Sequence, residues 1–201
     1  MKVILGLGNP GKEYAETRHN VGWWVLDHLA DTWRTDGWRK DGEAMTSSGT
    51  VGGVKVRLVK PQTFMNLSGQ SVQPTMAFFK VPLEQIIVVH DDLDLEFGQM
   101  KIKRGGSPGG HNGLKSIDAS IGANYLRIRA GIGHPRSKAP EGAPKERGSV
   151  VGHVLGAFKG KDLDDAKVVV EHCADAVEVL IRDGIEKAQL TFHGKKLLLP
   201  G

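Results

Sequence analysis

A single α/β domain with a mixed sheet is the fold this 201-residue sequence predicts. Three observations carry it. Short β-type runs alternate with helix-period segments along the chain. One run, "IIVV" at 86–89, is apolar at every position, as in a central strand buried on both faces. No internal repeat and no linker divides two cores, and the length suffices for one sizeable core.

The elements follow in order. Residues 2–6 read as a buried strand ending in a glycine turn. Val25, Leu26, Leu29 and Trp33 recur at helical spacing and predict a helix near 21–34. "VKVRLV" (54–59) begins with Val54, Val56 and Leu58 alternating against Lys55 and Arg57, a strand with one wet face. "KPQTFMNLSG" is a polar loop, followed by a helix near 69–80 with Pro74 in its early part, where a missing N–H is tolerated. "QMKIK" (99–103) alternates again. The glycine-rich "RGGSPGGHNG" precedes a helix near 113–121 and a strand in "YLRIRAGIG". "HPRSKAPEGAPKERGS" reads as a long mobile loop, and "HVLG" after it contains a short β-like segment with His153. A last helix over about 161–183 aligns Leu163, Ala166, Val170, Cys173, Val177 and Leu180, with Gly184 as its stop.

Composition narrows the function. No apolar run approaches the roughly 20 residues that span a bilayer, and "VILGLG" is too short and glycine-rich for a secretory signal. With Cys173 alone, neither an intramolecular disulfide nor a zinc–cysteine cluster can form, which fits a reducing cytoplasm. The net charge of +4 is unevenly spread. Residues 101–150 carry +7, and each of the other three quarters carries −1. Such concentration favours a polyanionic partner.

"VILGLGNPG" has the glycine spacing of a dinucleotide-binding turn in Gly6, Gly8 and Gly11. Its context is wrong. Asn9-Pro10-Gly11 interrupts the helix that should face the pyrophosphate, and a helix replaces the second strand with its acidic end. A tight turn explains the glycines but leaves the polar cluster Asn9, His19 and Asn20 unexplained.

Four loops carry side chains that do not belong to a core. They hold Asn9, Tyr14, His19 and Asn20; Phe64, Met65 and Asn66; His90, Asp91, Asp92 and Asp94; and His111 with Asn112. In α/β sheets, loops at one strand edge converge on a ligand. Asn66 and Asn112 both precede predicted helices, where capping is their plain structural role. Beside an aromatic and an apolar neighbour, the same carboxamides suit recognition of a peptide backbone, since they donate and accept. Among the histidines, His28 and His172 fall in helices, His134 in a turn before Pro135 and His193 in a polar tail. A histidine base needs an orienting acceptor on its other ring nitrogen, and His19 with Asp91 or Asp92 fits. The alternative is that "HDDLD" supplies oxygen ligands to a divalent ion. No Gly-x-Ser-x-Gly elbow is present.

"GLGNPG..Y..TRHN.G", "KP.TFMNLSG", "HDDLDL..G", "GG..GGHNGLKSI" and "R.GIGHP" occur in order. Over roughly residues 1–192 the chain resembles the bacterial peptidyl-tRNA hydrolases, leaving 193–201 as a C-terminal tail. The resemblance implies a monomeric, cytoplasmic α/β domain whose mixed, mostly parallel sheet is surrounded by helices. It implies hydrolysis of the ester joining a peptide to the 3′ end of tRNA, with no cofactor, no metal, no membrane and no obligate protein partner. The catalytic histidine falls on His19, its orienting aspartate on Asp91, and the asparagine separating N-blocked from free aminoacyl substrates on Asn9. Contacts to the tRNA 3′ end and peptide fall on Tyr14, Phe64, Met65, Asn66, His111 and Asn112. The basic clamp for the acceptor stem falls on Lys103, Arg129 and Lys138, with Arg136 nearby in a loop longer than the family's. Ser107-Pro108 also departs from the family's glycine loop. Two rival readings stand beside this one: a non-catalytic tRNA-binding module, and a metal-dependent phosphoesterase built on "HDDLD".

Overall fold

The computed structural model describes residues 1–135, 148–196 and 198. At its centre are β1 (Lys2–Gly6) and β5 (Ile86–Asp92), paired in parallel. Successive residues of each strand alternate strictly between two apolar layers. Val3 and Leu5 of β1, with Ile86 and Val88 of β5, pack towards α2 (Ser68–Phe79) and α3 (Asn112–Ile121). Ile4, Ile87 and Val89 pack towards α1 (Val21–Thr32), α5 (Lys161–Asp183) and α6 (Ile185–Phe192). This period-2 division of an all-apolar strand makes a three-layer α/β/α sandwich.

The remaining strands are β2 (Arg39–Asp41), β3 (Ala44–Val51), β4 (Val54–Pro61), β6 (Met100–Arg104) and β7 (Leu126–Gly131). The seven lie in the order β2-β3-β4-β1-β5-β7-β6. β4, β1, β5 and β7 run parallel, and β3 and β6 pair antiparallel with their neighbours. The chain leaves β1 for β4 on one side and reaches β5 on the other. The carboxyl ends of β1 and β5 therefore flank the crevice where open α/β sheets bind ligands.

β2 and β3 are absent from the sequence reading, because "AMTSSGTV" shows no hydrophobic alternation. The available signal was Gly52-Gly53, both at positive φ in the two-residue turn to β4. Pro74 is the seventh residue of α2, not an early one, because the helix starts at Ser68. Pro74 is exposed, so the Gln70 carbonyl it leaves unbonded sits on the wet side of the helix. His153 lies in a short helix, α4 (Gly148–Val154), rather than in a β-like segment. His193 is tied down: its Nε2 accepts from the Ile102 N–H at 2.9 Å, while the Gln189 side chain donates to the Ile102 carbonyl at 2.9 Å. Together they cover the middle of the edge strand β6.

The opening glycines serve packing. A Cβ on Gly6 would overlap the Gly22 carbonyl, and one on Gly8 would meet the Trp23 indole at 2.8 Å. Only without side chains can β1 and α1 approach this closely. Gly11 takes φ +111° in the turn beyond.

Candidate active site

His19 sits in a one-turn 3₁₀ segment, Arg18–Asn20, that leads into α1. Asp91 is the sixth residue of β5 and is almost fully buried. His19 Nδ1 is 2.9 and 2.8 Å from the two Asp91 carboxylate oxygens. A carboxylate only accepts, so Nδ1 carries the proton and Nε2 holds the lone pair. His111 joins from the other side, its Nε2 2.8 Å from Asp91 Oδ1. Its Nδ1 accepts from the Gly113 and Leu114 amides at 3.1 and 3.4 Å, capping α3. That cap fixes the tautomer: the His111 proton is on Nε2 and points at Asp91. The structure thus chooses Asp91 over Asp92 as partner of His19 and adds His111 as a second donor to it. Asp92 instead accepts from Arg129 Nε at 2.7 Å and from the Asp94 N–H at 2.8 Å.

These contacts set the charge states. Burial alone would raise the Asp91 pKa, but the charges and hydrogen bonds of His19 and His111 outweigh it and hold the carboxyl well below the usual range. Burial pulls the His19 pKa down, and the attraction and hydrogen bond of Asp91 more than reverse this, leaving it raised. His90 is different. Burial, with His111 beside it, lowers its pKa to about 3. Its Nδ1–H donates to the Asp91 carbonyl at 2.7 Å, so the ring helps hold the Asp91 backbone.

Asn9 is locked three residues beyond the end of β1. Asn20 grips its backbone as a peptide would, accepting from the Asn9 N–H at 2.9 Å and donating to its carbonyl at 3.0 Å. Asn9 Oδ1 accepts from the Met65 N–H at 2.8 Å, which identifies its other end as the amide NH₂. Met65 is buried, with its sulfur against Gly113. Phe64 is exposed and meets Tyr14 edge-on, ring centres 6.5 Å apart, with Asn66 exposed beside it.

A cavity of about 550 Å³ opens against His19, Asp91 and His111. Lys103, Arg127 and Arg129 line one part of it, and Val150, Val151 and Val154 of α4 another. Asn112 also lines it; Asn9, Tyr14, Phe64, Met65 and Asn66 do not. They form a separate shelf, linked internally by the Asn9–Met65 bond and the Tyr14–Phe64 ring contact, and Met65 packs on Gly113 beside the lining residue His111. The expected caps are also corrected. His111 caps α3, and Asn112 is its exposed first residue. The N-cap residue of α2 is Leu67, which makes no cap bond; Ser116 Oγ of α3 instead accepts from the Gly69 N–H at 2.9 Å, and Asn66 lies in the 3₁₀ turn before the helix. Lys138 and Arg136 lie outside the described residues.

Sequence reasoning missed Arg127. It is fully buried and donates to the Ser107 and Gly106 carbonyls, each at 2.9 Å, and to the Ala123 carbonyl at 3.2 Å. It thereby holds the glycine loop that leads to His111. It stands at one of the two arginine positions of the alternating "YLRIR", and no local signal distinguishes a buried arginine there from an exposed one. Burial and the charges of Arg129 and Arg127 lower the Lys103 pKa, as expected where cations gather on one face; Asp92 opposes them.

A family model described as peptidyl-tRNA hydrolase matches residues 3–198. A peptidyl-tRNA hydrolase of Geobacter sp. (strain M21) is 43% identical over 195 residues, 96% of this chain and 98% of that protein. One from Agrobacterium fabrum is 47% identical over 182 residues, 90% of this chain and 73% of its own length. The crystal structure of peptidyl-tRNA hydrolase from Acinetobacter baumannii superposes with a TM-score of 0.87 at 37% identity, covering 98% of this chain and 96% of that one. The chain belongs to the peptidyl-tRNA hydrolase family.

Proposed function

We infer that this protein hydrolyses the ester between a peptide and the 3′ end of tRNA, with His19 as general base. The observation that carries the reading is the His19–Asp91–His111 array lining a cavity that Lys103, Arg127 and Arg129 also line. His19 Nε2 takes a proton from water as the water oxygen attacks the ester carbonyl. Asp91 holds the ring in the right tautomer and stabilises the imidazolium. In this reading the Asn9 amide NH₂ donates to the tetrahedral oxyanion; the Met65 N–H on Asn9 Oδ1 supports it by fixing which end of the carboxamide carries the hydrogens. As the carbonyl re-forms, the ester C–O bond breaks and His19 Nε2–H returns its proton to the ribose oxygen. No covalent intermediate is needed.

The shelf of Tyr14, Phe64, Met65, Asn66 and Asn9 offers rings and amides to the peptide and the terminal nucleotide. Asn112 extends it into the cavity. Lys103 and Arg129 bind the acceptor-stem phosphates in this reading, and the third cation of the clamp is Lys138 or Arg136, both outside the described residues. The enzyme works as a monomer in the cytoplasm. His19, Asp91 and His111 also form a group of metal-ligand type. However, four of their candidate ligand atoms, His19 Nδ1, both Asp91 oxygens and His111 Nε2, are spent on one another in hydrogen bonds, and the neighbouring Asp92 carboxylate turns away to Arg129 and the Asp94 N–H.

The test is release of peptide from an N-acetylated aminoacyl-tRNA, run beside the unblocked aminoacyl-tRNA, with and without EDTA. Turnover of the blocked substrate alone, insensitive to EDTA, is expected, and His19→Ala should lower kcat about 10²–10⁴-fold. Near-normal turnover in folded His19→Ala removes the base; loss with EDTA restored by Mg²⁺ favours the phosphoesterase reading.

A further inference from the structure

Arg18 immediately precedes the base, yet its contacts run to the C-terminal end of α4 and the segment after it, and α4 lines the cavity through Val150, Val151 and Val154. Its backbone N–H donates to the Gly156 carbonyl at 3.0 Å. Its Nη1 donates to the His153 carbonyl at 3.3 Å, which also accepts from the Gly156 N–H. Its guanidinium lies over the Phe158 ring, 5.3 Å from the centroid, and the Asp162 carboxylate is 3.9 Å away. Next to it, Thr17 pairs with Ala157 in an antiparallel bridge. Apart from Asp162, these partners sit at or just past the C-terminal end of α4.

A helix of seven residues is too short to hold itself together in water. Its last carbonyls have no partners farther along the helix, and that end carries partial negative charge. A guanidinium from another segment supplies both a donor and the favourable charge. Below the contact, Phe158 is buried, stacks on Phe97 and meets the Trp24 ring, in a small cluster that includes Val154 and Leu93. A mostly buried arginine has thus been directed at a main-chain carbonyl of α4, with its carboxylate neighbour at longer range.

We propose that Arg18 is a positioning residue for hydrolysis. By capping α4 from outside, it fixes the valine wall of the cavity relative to His19, so that substrate resting on the wall is in register with the base. This rests on the reading of His19 as base. The contact makes one unit of two cavity walls that lie far apart in the chain, since the Arg18–His153 bond spans 135 positions.

Arg18→Met keeps a flexible stem over Phe158 and removes the guanidinium. Two readouts are taken on the full-length enzyme: hydrogen exchange of the α4 amides, and steady-state kinetics on N-acetylated aminoacyl-tRNA across pH. Loss of a charge-assisted hydrogen bond should speed α4 exchange about tenfold or more. KM should rise about three- to tenfold while kcat stays within about threefold, and the acid limb should not move, because His19 and Asp91 are intact. Arg18→Lys, which keeps a cation at the same carbonyl, should restore part of both readouts; if Arg18→Met does not fold, the lysine variant carries the test with smaller shifts of the same kind. Unchanged α4 exchange overturns the proposal, as does faster exchange with an unchanged KM, or a loss confined to kcat with a displaced acid limb. Exchange involves no turnover, so it judges the capping even if His19→Ala shows that His19 is not the base.

Discussion

Asp91→Asn is the substitution whose consequence follows most closely from the geometry. In the parent, Asp91 Oδ1 accepts from His111 Nε2 and from His19 Nδ1, and Oδ2 accepts from His19 Nδ1. An asparagine has one oxygen and one NH₂. Its oxygen is claimed by His111, whose tautomer the α3 cap holds with the proton on Nε2. The NH₂ then faces His19 Nδ1, which must accept. The His19 proton moves to Nε2, and the lone pair that takes the proton from water is gone. The charge is lost as well. At about 2.8 Å and an effective dielectric near 20, the gross attraction between imidazolium and carboxylate is about 6 kcal/mol before burial is subtracted. Both effects act on the chemical step, so kcat should fall about 10³–10⁴-fold in single-turnover assays on N-acetylated aminoacyl-tRNA, as when Asp→Asn imposes the wrong histidine tautomer elsewhere. His111→Asn keeps a good N-cap for α3 but withdraws the donor from position 91. In Asp91→Asn/His111→Asn the amide is free to turn its oxygen to His19. That double variant should recover about tenfold over Asp91→Asn, measured against His111→Asn alone in a double-mutant cycle. A fall of less than about tenfold in Asp91→Asn, or a double variant no faster than the single, would refute the tautomer argument.

Lys103→Gln should raise KM for full-length substrate with kcat nearly intact and flatten the salt dependence of binding, because phosphate contacts form equally in ground and transition states; a peptide esterified to a short 3′ fragment should not register the change, and equal KM values at low salt would count against the clamp. Arg129→Gln is a poorer probe, since it also deprives Asp92 of its 2.7 Å partner. The lowered His90 pKa predicts a stability slope. The folded state excludes a proton that the unfolded chain binds below about pH 6.5, so stability attributable to His90 is present above that pH and lost as pH falls towards 3, at up to about 1.4 kcal/mol per unit; urea melts of His90→Leu between pH 6.5 and 4.5 should be less steep in pH than the parent's, and parallel slopes would mean His90 is protonated in the fold. Gly6→Ala should destabilise by about 1–3 kcal/mol, because its methyl meets the rigid Gly22 carbonyl rather than a side chain that can turn away; an unchanged urea midpoint would show that β1 and α1 can separate without loss.

The layering was legible in the sequence because it depends on local period. "IIVV" announced the central strand, and the helical repeat over 161–183 ends at Gly184 in the structure as it does in the pattern. Five ordered motifs likewise marked the loops that carry His19, Asp91 and His111. The ribbon of β2 and β3 was hidden because its Ser, Thr and Gly residues gain their order from pairing with β4, a non-local contact that leaves no hydrophobic period. Tertiary structure alone decided how the site residues divide their hydrogen bonds. Asp91 and Asp92 are adjacent in β5, and successive side chains on a strand point to opposite faces. One therefore meets two histidines while the other meets Arg129, a distinction of about one residue in register that composition does not carry. The same holds for Arg127, which nothing in "YLRIR" marks as buried and whose guanidinium is satisfied inside the fold by the glycine-loop carbonyls and the Asp118 carboxylate. Hydrophobic periodicity is a property of a segment, whereas the partner of a buried charge is a property of whatever the fold places across from it.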